Sequence, residues 1–194
     1  MASKKPRTVL YRRKREQKTS YSKRLKLLLS GKKRLVVRFT NSKVLAQIVE
    51  FTPQGDKVLV GVDSAGLKKY GWKYSCKNFP AAYLTGLLLG RKAKEKEFKE
   101  VVVLDTGFNS PLHKGKAYAF LKGVVDAGIT VPHSKEDLFP DEKTIQGAQV
   151  QEYALKLKAD KDAYNRQFAQ YLKSAAGPES LTAAFMQVKQ KIIG

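Results

Sequence analysis

The chain has 194 residues, and because 42% of them are hydrophobic it can build a core, so disorder along the whole chain is excluded. Its 38 Lys and Arg face only 17 Asp and Glu, and a net charge of +21 opposes compaction unless a polyanion neutralises it. Nucleic acid is the usual polyanion. An anionic membrane is disfavoured as the partner, because the longest apolar run, which ends before Arg91, has about half the length of a membrane span.

The sequence shows no secretory signal pattern and no pair of cysteines, and both observations bear on the cellular compartment. The apolar run at residues 27–29 is too short and too deep in the chain for a secretory signal peptide. Cys76 is the single cysteine, which excludes an internal disulfide and fits a reducing cytosol. We therefore expect a cytoplasmic protein.

The positive charge is concentrated at the N-terminus. Residues 1–34 hold 14 Lys and Arg and one acid, Glu16, whereas residues 135–194 hold nine bases and eight acids. The segment up to Thr19 has almost no apolar side chain to bury, so we expect it to be disordered when alone. The sequence thus predicts a basic arm (1–34), a core (35–134) and a helical C-terminal extension (135–194).

A short helix is predicted at the end of the arm. It follows a possible cap at Ser20, places Leu25, Leu28 and Leu29 at helical spacing, and ends at Gly31. Its polar side would display Lys23, Arg24 and Lys26.

Three strands of an antiparallel meander follow. "RLVVRFT" alternates, with Leu35 and Val37 on one face, and a turn at "NS" leads to a second strand, "KVLAQIVEF". The turn "TPQGD" leads to a third strand, "KVLVGVD", with Val58, Val60 and Val62 on one side.

The remainder of the core reads as helix, strand, helix. A helix is predicted from near Asn78, "VVVLDTG" is a buried strand, and a second helix carries Tyr118, Leu121 and Val125 at helical spacing before "ITVPH" closes the unit. The fold class is therefore α/β, with one mixed sheet covered by helices. In the extension, Gly177 and Pro178 interrupt a helical pattern.

Catalytic chemistry has weak support. Asp105 ends the buried strand, and with Asp63 and Asp126 it could form the acidic cluster of a metal-dependent nuclease; the simpler interpretation is three acids at element ends. The isolated Cys76, His113 and His133 lack metal-ligand spacing. A nuclease and a general polyanion-binding protein stay open as alternatives to a specific RNA-binding protein.

Recognition chemistry has stronger support. Tyr11 and Tyr21 lie among the cations of the arm, and "KKYGWKYS" places Tyr70, Trp72 and Tyr74 among lysines. Rings interleaved with cations suit unpaired RNA bases, which stack on the rings while phosphates meet the charge. For Trp72, packing in the core is an equally good interpretation.

The order and spacing of several motifs resemble one family. "YRRKREQKTSYSKRLKLLLSGKKRLVVRFTNSKVLAQIV", "YGWK", "NFPAAYLTGLLLGRKA" and "HKGKAYAFLKGVVDAGITVPHS" are similar to the archaeal and eukaryotic-type ribosomal protein eighteen of the large subunit, which binds 5S ribosomal RNA. The resemblance runs from about residue 11 to residue 140. The extension matches more loosely, and its short length favours an archaeal source.

The resemblance implies a fold of the S-eleven-like, ribonuclease-H-like class without catalysis or cofactor. It also implies that the protein anchors 5S ribosomal RNA to the large-subunit (23S-type) ribosomal RNA in the central protuberance, beside large-subunit ribosomal protein five. The RNA contacts it implies are Tyr11, Arg12, Arg13, Lys14, Arg15, Tyr21, Lys23, Arg24, Lys26, Arg38, Asn41, Lys43, Tyr70, Trp72, Lys73, Lys114 and Lys116.

Overall fold

The structure is a computed structural model that describes residues 8–134, 136–174 and 176–194. The first seven residues of the predicted arm lie outside the described residues.

One mixed sheet of four strands forms the centre of the fold. The strands are β1 (Lys33–Phe39), β2 (Val44–Thr52), β3 (Gly55–Asp63) and β4 (Val102–Asp105), in the order β3-β2-β1-β4. β1 to β3 pair antiparallel as the predicted meander, and β4 joins β1 in parallel. The mixed α/β class is confirmed. The predicted closing segment lies beside β4, where the Val102 N–H donates to the Thr130 carbonyl at 3.1 Å, but it is not a strand.

The alternation of the strands separates two faces of the sheet. Leu35, Val37 and Val60 lie in the core on one face, as predicted. Val58 does not join them and is 48% exposed. Between Ile48 and Val49 the register shifts, so that Ile48 faces Val60 while Val49 faces Val58. The extra residue turns Val58 to the other face, so its predicted position is wrong.

Two helices cover the core face of the sheet, α3 (Phe79–Glu95) and α4 (Lys116–Asp126). The Asn78 side chain caps α3 by accepting the N–H of Ala81 at 2.9 Å. In α4 Leu121 is buried as predicted, whereas Tyr118 and Val125 are only half-buried. The buried residues of α4 are Ala117, Ala119, Phe120, Leu121, Gly123 and Val124.

Close packing of α3 on α4 depends on two glycines. A Cβ atom on Gly86 would lie 2.2 Å from the Phe120 carbonyl oxygen, and one on Gly123 would lie 2.1 Å from the Tyr83 carbonyl oxygen. Any side chain at either position would force the two helices apart.

The C-terminal region is helical, as predicted. It contains α5 (Glu142–Gln146), α6 (Ala148–Leu157), α7 (Lys161–Gln167), α8 (Ala169–Lys173), a 3-10 turn at Pro178–Ser180 and α9 (Leu181–Ile193). Leu181, Phe185, Val188 and Ile192 of α9 are buried in the same hydrophobic cluster as the sheet and α3. α9 therefore completes the core, and the division of the chain into three regions stays a prediction.

The arm lies over the other face of the sheet. It forms α1 (Arg12–Arg15), which the sequence did not predict, and the predicted helix, α2 (Tyr21–Leu29). Arg34 and Arg38 point to this face because they alternate with Leu35 and Val37 along β1. Leu25 and Leu29 are exposed, so the predicted apolar stripe of α2 is not buried. No helix of the described residues is long and apolar enough to span a bilayer.

Candidate nucleic-acid interface

α1 is a turn of helix made only of cations. Its four side chains, Arg12, Arg13, Lys14 and Arg15, are all exposed. The neighbouring acid, Glu16, contacts Arg12 at 3.2 Å and Lys18 at 2.8 Å. Arg13 Nε donates to Thr19 Oγ1 at 2.9 Å, which fixes the helical turn against the next segment. One carboxylate cannot neutralise this density of positive charge, so α1 offers several cations to a polyanion.

Two exposed rings accompany these cations. Tyr11 is 75% exposed and Tyr21 is 36% exposed, and their ring centroids lie 5.5 Å apart with a tilt of 44°. The contact joins the start of α1 to the start of α2. It leaves aromatic surface open beside the cations, which is the combination that suits stacking on an unpaired base.

An arginine–aspartate network fixes the arm to the sheet. Both terminal nitrogens of Arg24 on α2 donate to Asp56 on β3 at 2.7 Å, and Arg34 donates to Asp56 at 2.6 Å. Arg34 also donates to Asp105 at 2.9 Å, and Arg38 donates to the same carboxylate at 3.0 Å. The hydrogen bond from Arg24, helped by Arg34, lowers the pKa of Asp56 to about 2. The predicted RNA contacts Arg24 and Arg38 are therefore engaged within the protein.

The network contains two residues that were not predicted from the sequence, Arg34 and Asp56. A signal for Arg34 was present, because it alternates with Leu35 and Val37 and therefore had to lie on the second face of β1 with Arg38. Two arginines on one sheet face need carboxylate partners if they are buried. Asp56 gave no such signal, because an acid next to a turn is ordinarily exposed.

The acidic cluster proposed for a nuclease is wrong. Burial opposes ionisation of Asp105, but the charge of Arg38, the Gly107 N–H and Arg34 outweigh it, so the pKa of Asp105 is lowered. Asp63 instead contacts Lys43 at 2.9 Å, and Asp126 accepts the Tyr83 hydroxyl at 2.9 Å. The described residues contain no group of three or more His, Cys, Asp or Glu that could hold a metal ion.

The "YGWK" segment differs from the arm. Trp72 is 1% exposed, and its Nε1 donates to the Ser75 carbonyl at 3.1 Å. Tyr74 is also buried, with its hydroxyl 2.7 Å from Ser180 Oγ and 3.1 Å from the Gly177 carbonyl oxygen. A base cannot stack on a ring that has no open face, so the expected contact of Trp72 with RNA is corrected to a core position.

The remaining predicted contacts are partly exposed or already paired. Asn41 and Lys73 are exposed, and Tyr70 is half-buried. Lys43 is held by Asp63, Lys114 lies 3.2 Å from Asp137, and Lys116 lies 5.8 Å from the centre of the Phe79 ring. Lys23 and Lys26 are exposed on α2, the next helix of the arm. The structure thus brings the most accessible predicted cations together on the arm.

Residues 6–101 match the profile of a family described as "Ribosomal large subunit proteins 60S L5, and 50S L18". Among curated proteins, the large ribosomal subunit protein uL18 of Methanococcus maripaludis is 45% identical over 185 residues, which cover 95% of each chain. This chain belongs to the uL18 family. The family predicted from the sequence motifs is thereby confirmed. A uL18 protein is a structural component of the large ribosomal subunit that binds ribosomal RNA, and it is not an enzyme.

Proposed function

We propose that this uL18 protein binds 5S ribosomal RNA and attaches it to the large-subunit ribosomal RNA in the central protuberance. Large-subunit ribosomal protein five would be its protein neighbour there. Membership of the uL18 family supports a place in the large subunit, and the motif resemblance supports this more specific role. The cytoplasmic large subunit is the corresponding location.

The exposed cationic turn α1 carries the proposal. Four consecutive cations with a single nearby acid would exchange counter-ions for RNA phosphates, and the release of those counter-ions drives binding. The guanidinium groups of Arg12, Arg13 and Arg15 can each donate paired hydrogen bonds to phosphate oxygens. Tyr11 and Tyr21 would stack on unpaired bases, which are the part of RNA that proteins read most readily.

The other contacts follow in order of accessibility. Lys23 and Lys26 are exposed on α2, and Asn41 and Lys73 are exposed at two loops. Lys43, Tyr70, Lys114 and Lys116 would contribute less, because each is paired or half-buried. Arg24 and Arg38 act mainly through the network, by holding the arm at a fixed place on the sheet.

The S-eleven-like, ribonuclease-H-like assignment is also part of the proposal. It is supported by the antiparallel meander and by β4, which adds to β1 in parallel at the side of the sheet away from β3. In this protein the fold serves as a scaffold for the arm, since Asp105 binds two arginines.

The experiment is a competition between RNAs. Labelled 5S ribosomal RNA is bound to the full chain at about 150 mM salt and challenged with unlabelled 5S ribosomal RNA, a transfer RNA or duplex DNA of equal nucleotide content. Specific recognition predicts that the 5S competitor is at least about 1000-fold more effective than the duplex, as specific complexes are over non-specific ones. Equal competition by all three would contradict the proposal and favour a general polyanion-binding protein.

A further inference from the structure

A concave surface lies in the helical layer, on the side of the sheet away from the arm. It is a groove of about 460 Å³ between α3, α4 and α9. Leu87, Ala127 and Ile192 contribute its apolar part, and Ile193 at its edge is 65% exposed. Arg91, Lys94 and Lys189 also line it, so an apolar groove carries cationic side chains at its margin.

The positive charge of the groove is poorly compensated from within the protein. Lys94 and Lys189 have no carboxylate within 4.0 Å among the described residues. Asp126 is the acid of the groove, and it is occupied by the Tyr83 hydroxyl at 2.9 Å and by Lys122 at 3.3 Å. Two lysines are therefore available to carboxylates of another molecule.

Arg91 makes the groove rigid. Its terminal nitrogen donates to the carbonyls of Lys191 at 3.0 Å and Ile192 at 2.8 Å, near the C-terminal end of α9. These bonds join α3 to α9 across the groove and hold Ile192 and Ile193 in place. A preformed site loses less conformational entropy when a partner binds.

The chemistry of the groove favours polypeptide over RNA. The groove offers no open aromatic face on which an RNA base could stack, because Tyr83 is buried and the ammonium of Lys189 lies 5.3 Å over its ring. An exposed isoleucine gains little from a phosphate backbone, whereas an apolar side chain of a protein partner would bury it. Carboxylates beside that apolar side chain would complement Lys94 and Lys189.

We propose that this groove docks an acidic segment of another protein of the large subunit. An apolar side chain of the segment packs against Ile193, and its Asp or Glu residues pair with Lys94 and Lys189. The inference does not depend on the RNA that the arm binds. The chain thereby presents two surfaces of different specificity on opposite sides of the sheet, the arm for RNA and the groove for protein.

Site-specific crosslinking tests the proposal in assembled subunits. Ile193 is replaced by the photoreactive residue benzoylphenylalanine in the full chain, the large subunits are purified and irradiated, and the crosslinked partner is identified by mass spectrometry. We expect one protein segment with at least two Asp or Glu close to the crosslinked residue. A crosslink to RNA, a crosslink to a segment without acids, or no crosslink would each overturn the proposal. The same photoreactive residue at Tyr11 should crosslink RNA and serves as the positive control.

Charge reversal tests the role of the lysines. In the Ile193 crosslinking background, Lys94→Glu with Lys189→Glu should lower the crosslink yield about tenfold, as expected for the loss of two exposed ion pairs and the repulsion that replaces them. The matched control is Lys156→Glu with Lys173→Glu, which changes the same charge at exposed positions away from the groove and should leave the yield within about twofold.

A double variant with neutral side chains keeps the test valid if the charge-reversed protein does not fold or assemble. If the reversed variant is missing from subunits, Lys94→Gln with Lys189→Gln keeps the length of both side chains and should still lower the yield by about threefold. An unchanged yield in a variant that is present in subunits at the normal level would overturn the charge argument, and so would an equal loss in the control.

Discussion

The arm and the "YGWK" segment look alike as sequences and differ in the folded protein. Each is a short stretch in which tyrosines or a tryptophan alternate with lysines and arginines. In the arm the rings of Tyr11 and Tyr21 are open to solvent and contact each other. In the second stretch the ring of Trp72 and that of Tyr74, which follows "YGWK", are buried, and their centroids lie 5.2 Å apart.

The difference comes from what lies above each pair of rings. The rings of the arm sit beside α1, which has no buried residue, and the ring of Tyr11 stays 75% exposed. Tyr74 lies under the C-terminal helices, since its ring contacts the Tyr171 ring at 5.6 Å and its hydroxyl lies 2.7 Å from Ser180 Oγ, and Trp72 packs against Tyr74. Aromatic residues among cations therefore indicate an RNA surface only where no other part of the chain supplies a partner.

The largest expected effect is on the free energy of unfolding, which should depend on the buried ring of Trp72 and not on the exposed ring of Tyr11. Trp72→Ala removes a fully buried ring and its hydrogen bond to Ser75, and should lower the free energy of unfolding by about 3–5 kcal/mol. Urea denaturation measures this loss. Where the variant is still folded, its affinity for 5S ribosomal RNA should stay within about twofold. A tenfold loss of affinity with normal stability would restore Trp72 as an RNA contact.

The arginine–aspartate network comes next, because it joins the arm to the sheet. Asp105→Asn leaves Arg34 and Arg38 without their shared carboxylate and should destabilise the protein by about 3 kcal/mol. Glu16→Gln, at an exposed acid of the arm, is the control and should change stability by less than about 0.5 kcal/mol. Similar unfolding free energies for the two variants would show that the network is not a stabilising element.

Loss of the Tyr11 ring should have the opposite effects to loss of Trp72, lowering RNA affinity and leaving stability unchanged. Tyr11→Ala should lower the affinity for 5S ribosomal RNA by about 1–3 kcal/mol, because one stacking surface is lost, and should leave the melting temperature unchanged. Tyr153→Ala, at an exposed tyrosine of the C-terminal region, is the matched control for RNA affinity. If Tyr153→Ala weakened binding as much as Tyr11→Ala, stacking on the arm would not be specific.

The smallest effect is a pH dependence at the point where the arm meets the sheet. The pKa of Asp56 is about 2 in the folded protein against 3.8 ordinarily, so the ionised Asp56 stabilises the fold above about pH 4. That stabilisation is lost as the pH falls from 4 towards 2. The effect is modest because the side chain is partly exposed to solvent. In urea denaturation repeated across this pH range, Asp56→Asn should flatten this part of the stability curve, and an unchanged curve would contradict the role of Asp56.

Local patterns predicted the elements that depend on nearest neighbours in sequence. The meander, the start of α3 at its Asn78 cap and the break at Gly177 are present as expected. The position of Val58 failed because one extra residue in β3 reverses the alternation, and a β-bulge leaves no mark in a row of valines.

The site was predictable in its charge and less so in its geometry. The cations of α1 could be identified from composition, because the single acid near them in sequence, Glu16, cannot neutralise all four. The pairing of Arg24 and Arg38 with carboxylates could not be predicted. Asp56 is 32 residues from Arg24 along the chain, and Asp105 is 67 residues from Arg38. Burial of Trp72 likewise depends on how the whole chain packs around it.

The salt dependence of RNA binding tests the role of α1 most directly. In one variant Arg12, Arg13, Lys14 and Arg15 are replaced by Gln, and in a matched control the exposed Lys99, Lys156, Lys161 and Lys173 are replaced by Gln. The slope of the logarithm of 5S ribosomal RNA affinity against the logarithm of salt concentration is measured for both and for the unchanged chain. If α1 pairs with phosphates, its variant should lose about 3 to 4 from the magnitude of the slope while the control keeps its slope. Equal slopes in all three proteins, or an equal decrease in both variants, would contradict the account.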